Sequence, residues 1–507
     1  MNSHPHTHPH PASRRSAATG LVLTAMIVAV SMTFIDQTIV SVAAPTIQAH
    51  LGLTSTGMQW AVNAYLLALA ACFAFGGRLA DTVGHRTTVT WGVIIFAAAS
   101  LMCGLTPTGR LAEAWLVTFR IVQGVGGAIM FPAALAIVVQ TFELRQRGRA
   151  LALFFGVAGG LTSVGPALGG FLTEWQWRAI FWINLPVAVI ALVLISVARP
   201  VTEHRPAPMD YRGFVAIATG IALSIVGFQQ SGVWGWHDAR TILCVVGGAA
   251  VLIAFALLER GVTSPLIDVR IFANRSFLVQ NLVLAVSSTV FIPVFFFASE
   301  YAQISLGESA SEASLILLYL FIGFVIAAQI GGRILDRRGA KPTVVFGCAL
   351  AAVGFELWAR KVTGLDLGQQ VPLVIMTGAG MGFMLGPATT DAVNRASRLS
   401  YGEATGITQT VRNYAASLGI AALGSLLVVQ MKSRLTGSLV ARGLPHARAA
   451  AQAKTLSQAH GTGGPIPHFV RLDFAYATRS VFEAMAVIMA VSAVIAFVGL
   501  KHGTQEA

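Results

Sequence analysis

Charge is what this 507-residue chain has least of. Asp, Glu, Lys and Arg together make 11% of it, against about 25% in a soluble domain. So few charges cannot cover a water-facing surface. A single soluble core also stops growing near ~250–300 residues, while 55% of this chain is hydrophobic. These shortages exclude a cytosolic enzyme, a secreted domain and a single-anchor receptor. Cysteine is scarce too. Cys72, Cys103, Cys244 and Cys348 lie far apart in apolar runs with no Cys-x-x-Cys spacing, so neither a disulfide framework nor a zinc site is implied. No Gly-x-x-x-x-Gly-Lys-Ser/Thr loop occurs, which removes the usual ATP cradle. Apart from the N-terminal tail, the histidines fall in loops or near the ends of apolar runs. No polar catalytic cluster stands inside those runs, so an enzyme is not expected.

Apolar runs are what is there, and the mean hydropathy is +0.71. At roughly 20 residues per membrane-spanning helix, the sequence divides into fourteen spans: 19–42, 58–78, 87–107, 113–140, 149–172, 178–198, 213–231, 240–259, 276–302, 312–333, 342–360, 369–391, 404–430 and 480–500. The expected class is an all-α integral membrane protein. Residues 1–18 read as a disordered tail carrying His4, His6, His8 and His10, and 501–507 as a short C-terminal tail. The four histidines leave transition-metal binding open, although nothing fixes their geometry.

The net charge of +13 does not indicate nucleic-acid binding, because the basic residues sit in short clusters between apolar runs. Such clusters orient membrane proteins, since cytoplasmic loops carry excess Lys and Arg. One alternating set of loops and tails holds twenty Lys and Arg and the opposite short loops hold five. Both termini are therefore expected in the cytoplasm of a multi-pass protein of the cytoplasmic membrane. The long segment 431–479 falls outside; its Ala-rich stretch 446–459 can form a surface helix.

Two loops on the cytoplasmic side repeat a pattern. Residues 76–84 read GGRLADTVG and residues 331–339 read GGRILDRRG. One joins spans 2 and 3, the other spans 10 and 11. The chain is thus read as a duplication: a six-helix half over 19–198, spans 7 and 8 with their linkers inserted over 199–275, and a second six-helix half over 276–500. Parallel repeats of this kind are a transporter architecture, with substrate held between the halves. The motif residues Gly77, Arg78, Asp81, Gly84 and Arg86, with Gly332, Arg333, Asp336 and Gly339, are expected to act as gate loops. Glycines allow tight turns, and the two aspartates can pair with Arg or accept from a helix N-terminus.

An ionisable residue inside the hydrocarbon region is a functional candidate by default. Asp36 in span 1 and Arg120 in span 4 both sit ~10 Å below the outer ends of their helices at 1.5 Å per residue, so they can meet. Asp36 is the leading proton site, because burial and a neighbouring Arg act in opposite directions on a carboxylate. Arg120 would tune it, with Gln123 one turn on; a purely structural pair is the competing reading. Glu300 is a plausible second acid, and Arg412 a second embedded cation. Candidate cavity residues are Trp60, Asn63, Tyr65, Gln123, Arg412, Phe131 and the Phe291–Phe297 stretch. Glycines crowd span 5 (Gly156, Gly160, Gly165, Gly169 and Gly170, with Pro166) and span 12 (Gly378, Gly380, Gly382 and Gly386, with Pro387). Close packing accounts for them generically; a conformational hinge is the sharper expectation.

Five segments carry a resemblance. GGRLADTVGHR resembles the loop signature of the major facilitator superfamily. FIDQTIVSVAAPTI (34–47), RIVQGVGGA (120–128), GVAGGLTSVGPALGG (156–170) and WRAIFWINLPVAV (177–189) are similar to segments of its 14-helix drug:proton antiporter branch (EmrB/QacA-like). His85 stands where the family commonly has Arg or Lys. The resemblance implies the major-facilitator fold, alternating access, and proton-coupled export of amphipathic, cationic or neutral toxic compounds. It also implies that the span 5 glycines form the antiporter motif. No cofactor beyond the proton gradient is expected. Expected partners are protons, a small-molecule substrate and the lipid bilayer; a monomer is expected, and a periplasmic adaptor stays open. A dedicated exporter of one metabolite, antibiotic or siderophore is the main rival, and a passive channel is disfavoured by the duplicated gates. The Ala-, Gly- and Arg-rich composition points to a bacterium with GC-rich DNA.

Overall fold

The computed structural model describes residues 11–200, 202, 208–394, 401–458, 466–501 and 503; within the helices, the side chains of 11–18, 144–149, 152, 155–156, 158–160, 163, 393–394, 401–403 and 458 fall outside that description. The N-terminal half comprises α1 (Pro11–Leu51), α2 (Ser55–Val83), α3 (His85–Gly104), α4 (Ala112–Thr141), α5 (Leu144–Gln176) and the broken pair α6 (Ala179–Trp182) and α7 (Asn184–Ala198). Inserted helices α8 (Tyr211–Trp234) and α9 (Ala239–Glu259) follow. The C-terminal half holds α10 (Arg275–Tyr301), α11 (Ala310–Arg338), α12 (Ala340–Lys361), α13 (Leu367–Asn394), α14 (Tyr401–Ala441), α15 (His446–Gln458) and α16 (His468–Gly499). Among the described residues, thirteen helices are long and apolar enough to cross a membrane. Helix α5 adds the place of the expected fifth span and packs on α1 and α11.

Burial separates the roles of these helices. In α4, 72% of the most apolar window is buried, whereas in α9 only 17% is. Leu243, Val246 and Leu257 of α9 therefore lie open. In water such a surface would drive association; here it is a lipid-facing wall. The two gate motifs fold alike. Gly84 (φ 103°) ends α2 and Gly339 (φ 81°) ends α11. Both need the left-handed region that glycine enters at little cost, so the last glycine of each repeat makes the turn into the next helix.

Two boundaries differ from the sequence reading. Helix α1 starts at Pro11, inside the stretch read as tail, because Pro suits the first position of a helix and no breaker follows before the apolar run; residues 1–10, with the four histidines, lie outside the described residues. The segment 431–479, read as a long external loop, is mostly helical. Helix α14 runs on to Ala441, α15 fills the Ala-rich stretch, and α16 starts at His468. These extensions pack together. Ser438 donates to Asp473 at 3.0 Å, and Arg442 lies over the Phe469 ring at 3.4 Å.

Several direct hydrogen bonds between the two halves lie near the middle of the bundle or toward the face that the Lys/Arg asymmetry marks as outer. Gln303 Nε2, just past the end of α10, and Ser299 Oγ of α10 donate to the Val42 carbonyl of α1, at 2.8 and 3.5 Å. Ser311 of α11 donates to Glu174 at the end of α5. Ser417 of α14 donates to Asn63 of α2. The outer seam is fastened.

Candidate functional site

The N-terminal half contains a polar knot in an apolar interior. Asp36 on α1 is fully buried and Arg120 on α4 is 1% exposed. Arg120 NH1 donates to Asp36 Oδ2 at 2.5 Å and to Gln123 Oε1 at 2.7 Å. Gln123 returns through Nε2 to Asp36 Oδ1 at 2.9 Å. The guanidinium also donates through Nε to the Ala61 carbonyl of α2 at 3.0 Å and rests 4.5 Å from the Tyr65 ring centroid. The partners of Arg120 come from α1, α2 and α4 itself. Gln123 lies three residues after Arg120, so both point the same way from α4. The knot continues to Ser100 on α3, which accepts from Gln123 at 3.3 Å and from Asn184 of α7 at 3.0 Å. The sequence reading missed Ser100 and Asn184; a lone Asn in the apolar run 178–198 was the available signal.

Buried pairs of this kind contribute little net stability, because desolvation offsets the attraction. Breaking one by removing a partner costs ~3–5 kcal/mol, because a charge is left alone. The pair is therefore better understood as a site whose charge state matters than as a stabilising bridge. It ties α1, α2 and α4 together through one guanidinium and one carboxylate.

A cavity lies between the halves, lined by Phe34, Gln37 and Phe131 on one side and Phe291, Gln409 and Arg412 on the other. Of the residues expected to line it, the structure places Arg412, Phe131 and Phe291 there. It places Tyr65 and Gln123 in the polar knot instead. Asn63 sits at a seam, where it donates to Gln229 of α8 at 2.9 Å and accepts from Ser417. Trp60, half-buried on α2, is absent from the cavity lining. Arg412 NH1 donates to Gln409 Oε1 at 2.9 Å, and its Nε has no partner. It is the one charged side chain among the described lining residues.

The gate loops are unequal. Arg78 is half-buried and donates to the Pro265 carbonyl at 3.2 Å, and Asp81 faces His85 at 3.3 Å. Arg86, Arg333 and Asp336 are exposed, while Gly77 and Gly332 are half-buried. Glu300 on α10 is 3% exposed and its Oε2 has no hydrogen-bond partner; it stands apart from the Asp36 knot. In α5, a Cβ at Gly165 would collide with Thr38 of α1, and one at Gly170 with Ser314 and Ser311 of α11. Gly169 packs on Ile39, and Pro166 lies inside the helix. Gly156 and Gly160 lie outside the residues whose side chains are described.

Known proteins bear on this arrangement. The family model described as Major Facilitator Superfamily matches residues 26–420. The tetracenomycin C resistance and export protein of Streptomyces glaucescens is 32% identical over 433 residues, covering 83% of this chain and 79% of that protein. The multidrug transporter protein MdtP of Bacillus subtilis is 30% identical, covering 83% of this chain and 77% of that protein. Among solved structures, the partially occluded inward-open xylose transporter XylE from E. coli superposes with a TM-score of 0.62 at 11% identity, over 97% of this chain and 100% of that one; this likeness shows the fold. With the duplicated halves, the paired gate motifs and the cavity between them, the chain belongs to the Major Facilitator Superfamily.

Proposed function

We propose that the protein exports amphipathic, drug-like compounds across the cytoplasmic membrane in exchange for protons, by alternating access, with both termini in the cytoplasm. The observation that carries the reading is the buried Asp36–Arg120–Gln123 knot, one residue along α1 from the cavity-lining Gln37. A proton arriving at Asp36 removes the charge that Arg120 is held against. The α1–α4 contact then changes on the far side of the helix that substrate touches. The resistance and export roles that the relatives' names carry support the direction of transport.

The cavity narrows the substrate. Its described lining is aromatic and amide-bearing, with Arg412 supplying positive charge. A fixed cation in a low-dielectric space repels lipophilic cations. Neutral or acid-bearing aromatic compounds fit better, a class that shares only its neutral members with the cationic or neutral one the sequence suggested.

The test uses everted, respiring vesicles with a pH-sensitive dye and a compound panel spanning cationic, neutral and anionic aromatics. Substrate-dependent collapse of the pH gradient, lost in Asp36→Asn, is the expected result. Undiminished pH-driven export by Asp36→Asn would remove the proton role. A response to one compound alone would favour a dedicated exporter.

A further inference from the structure

The inserted helices do more than occupy the periphery. Between them and α14 lies a second, mostly apolar cavity of about 290 Å³, separate from the one between the halves. Its walls include Ile221 of α8, Leu252 and Phe255 of α9, Phe272 of the short 3-10 segment Val269–Ala273, and Val411 and Tyr414 of α14. It begins at Arg260 and runs past Leu252, a rise of ~12 Å at 1.5 Å per residue, all within the leaflet that the charge rule marks as cytoplasmic.

Three observations decide what occupies it. The first is size: the volume is at the low end of the ~300–1,000 Å³ that hold a drug-sized molecule, which suits one flexible chain better than a fused ring system. The second is the rim. Arg260 belongs to the cavity wall and is exposed, as are Arg270 and Arg275 beside it. Arg270 NH2 donates to the Arg260 carbonyl at 2.7 Å, which holds the two residues together. Of the acids nearby, Asp268 accepts from the Arg270 backbone amide at 3.1 Å, Glu259 is buried and accepts from the Ile267 amide at 3.3 Å, and Asp210 faces Glu259 and accepts from the Gly213 amide at 2.8 Å. The third is a polar atom in the wall. Thr410 is 5% exposed, and its hydroxyl has no hydrogen-bond partner although it borders this apolar space. A buried hydroxyl left unmatched costs free energy, so an occupant that carries an acceptor below its head group is favoured.

We propose that this cavity holds one acyl chain of an anionic phospholipid, with its phosphate at Arg260 and Arg270 and an ester oxygen reaching toward Thr410. Arginine clusters of this kind, at the cytoplasmic ends of spans, attract anionic headgroups. The bound lipid would fill the joint between the inserted hairpin and α14, the helix that carries Arg412.

Native mass spectrometry of the delipidated full-length protein, titrated with dioleoylphosphatidylglycerol or dioleoylphosphatidylcholine, tests this. One phosphatidylglycerol should be retained at least about tenfold more strongly than phosphatidylcholine, which corresponds to ~1.4 kcal/mol. Arg260→Gln combined with Arg270→Gln should erase that preference. Ile221→Trp, which fills the cavity, should lower retention of both lipids, while Leu243→Trp on the open face of α9 should leave it unchanged. Circular dichroism and a melting curve on each variant separate loss of lipid from loss of fold. Equal retention of the two lipids by the wild type would overturn the proposal. So would full phosphatidylglycerol retention by a folded Ile221→Trp, or displacement of the lipid by an exported compound.

Discussion

When the two gate loops are aligned, Asp36 of α1 and Phe291 of α10 occupy the same register. One half puts a carboxylate there and surrounds it with Arg120, Gln123 and Ser100. The other puts an aromatic ring there and surrounds it with rings: Phe295 lies 5.5 Å away edge-on, Phe324 lies 5.4 Å away, and Phe295 stacks on Phe321 at 4.9 Å. The two halves differ in chemistry at this register. The first holds a carboxylate–guanidinium pair, a group able to carry two charge states. The second keeps its buried Glu300 and its cavity-lining Arg412 elsewhere, and at this register its close-packed rings resist deformation.

This contrast can be broken in order of size. Asp36→Asn should reduce pH-driven export to background in vesicles, while membrane insertion stays normal by fluorescence-detection chromatography. Retained export would show that the knot is structural. Removing Arg120 alone, as Arg120→Met, should cost ~3–5 kcal/mol by leaving Asp36 uncompensated. The double variant Asp36→Leu with Arg120→Met should recover most of that stability yet stay inactive, measured by thermal unfolding in detergent beside the transport assay. In the stiff half, Phe295→Ala should cost ~3–5 kcal/mol through the cavity it opens. It should slow turnover without abolishing proton coupling; loss of coupling there would erase the distinction between the halves. The gate loops give the smallest effect. Arg78→Ala removes a bond to the Pro265 carbonyl worth ~1 kcal/mol, hence about a fivefold change in transport rate if that bond biases the cycle. Arg333→Ala, at an exposed position, should change the rate by less than about twofold. Equal losses would make the two gates symmetric.

Much of this was legible in the sequence. The many-span helical architecture followed from charge-free runs, and thirteen of the described helices are long and apolar enough to cross a membrane against the fourteen spans expected. The meeting of Asp36 and Arg120 followed from depth alone, since two residues at one level in adjacent helices need only face each other. What depth cannot supply is rotation. Consecutive residues on a helix lie about 100° apart, so Asp36 points into its own half while Gln37 points into the cavity. A span apolar on nearly every side gives no stripe from which to read that angle. For that reason Tyr65, Asn63 and Trp60 were expected in a cavity that they do not line. The Asn63–Gln229–Gln59 chain, closed by Gln229 Nε2 donating to Gln59 Oε1 at 2.8 Å, escaped for a related cause. Its members are scattered over α2 and α8, and only packing brings them together. The helix in the Ala-rich stretch was legible, whereas the extensions of α14 to Ala441 and of α16 from His468 were hidden because they gain their stability from one another rather than from lipid.

The outer seam between α1 and α10 is made to a backbone oxygen, since Gln303 and Ser299 both donate to the carbonyl of Val42. A main-chain acceptor survives every substitution at its own residue. Helix α1 can therefore change the side chains it shows to the cavity, Phe34 and Gln37 among them, without losing the acceptor that ties it to its neighbour. Cavity chemistry and seam strength are separable on one helix.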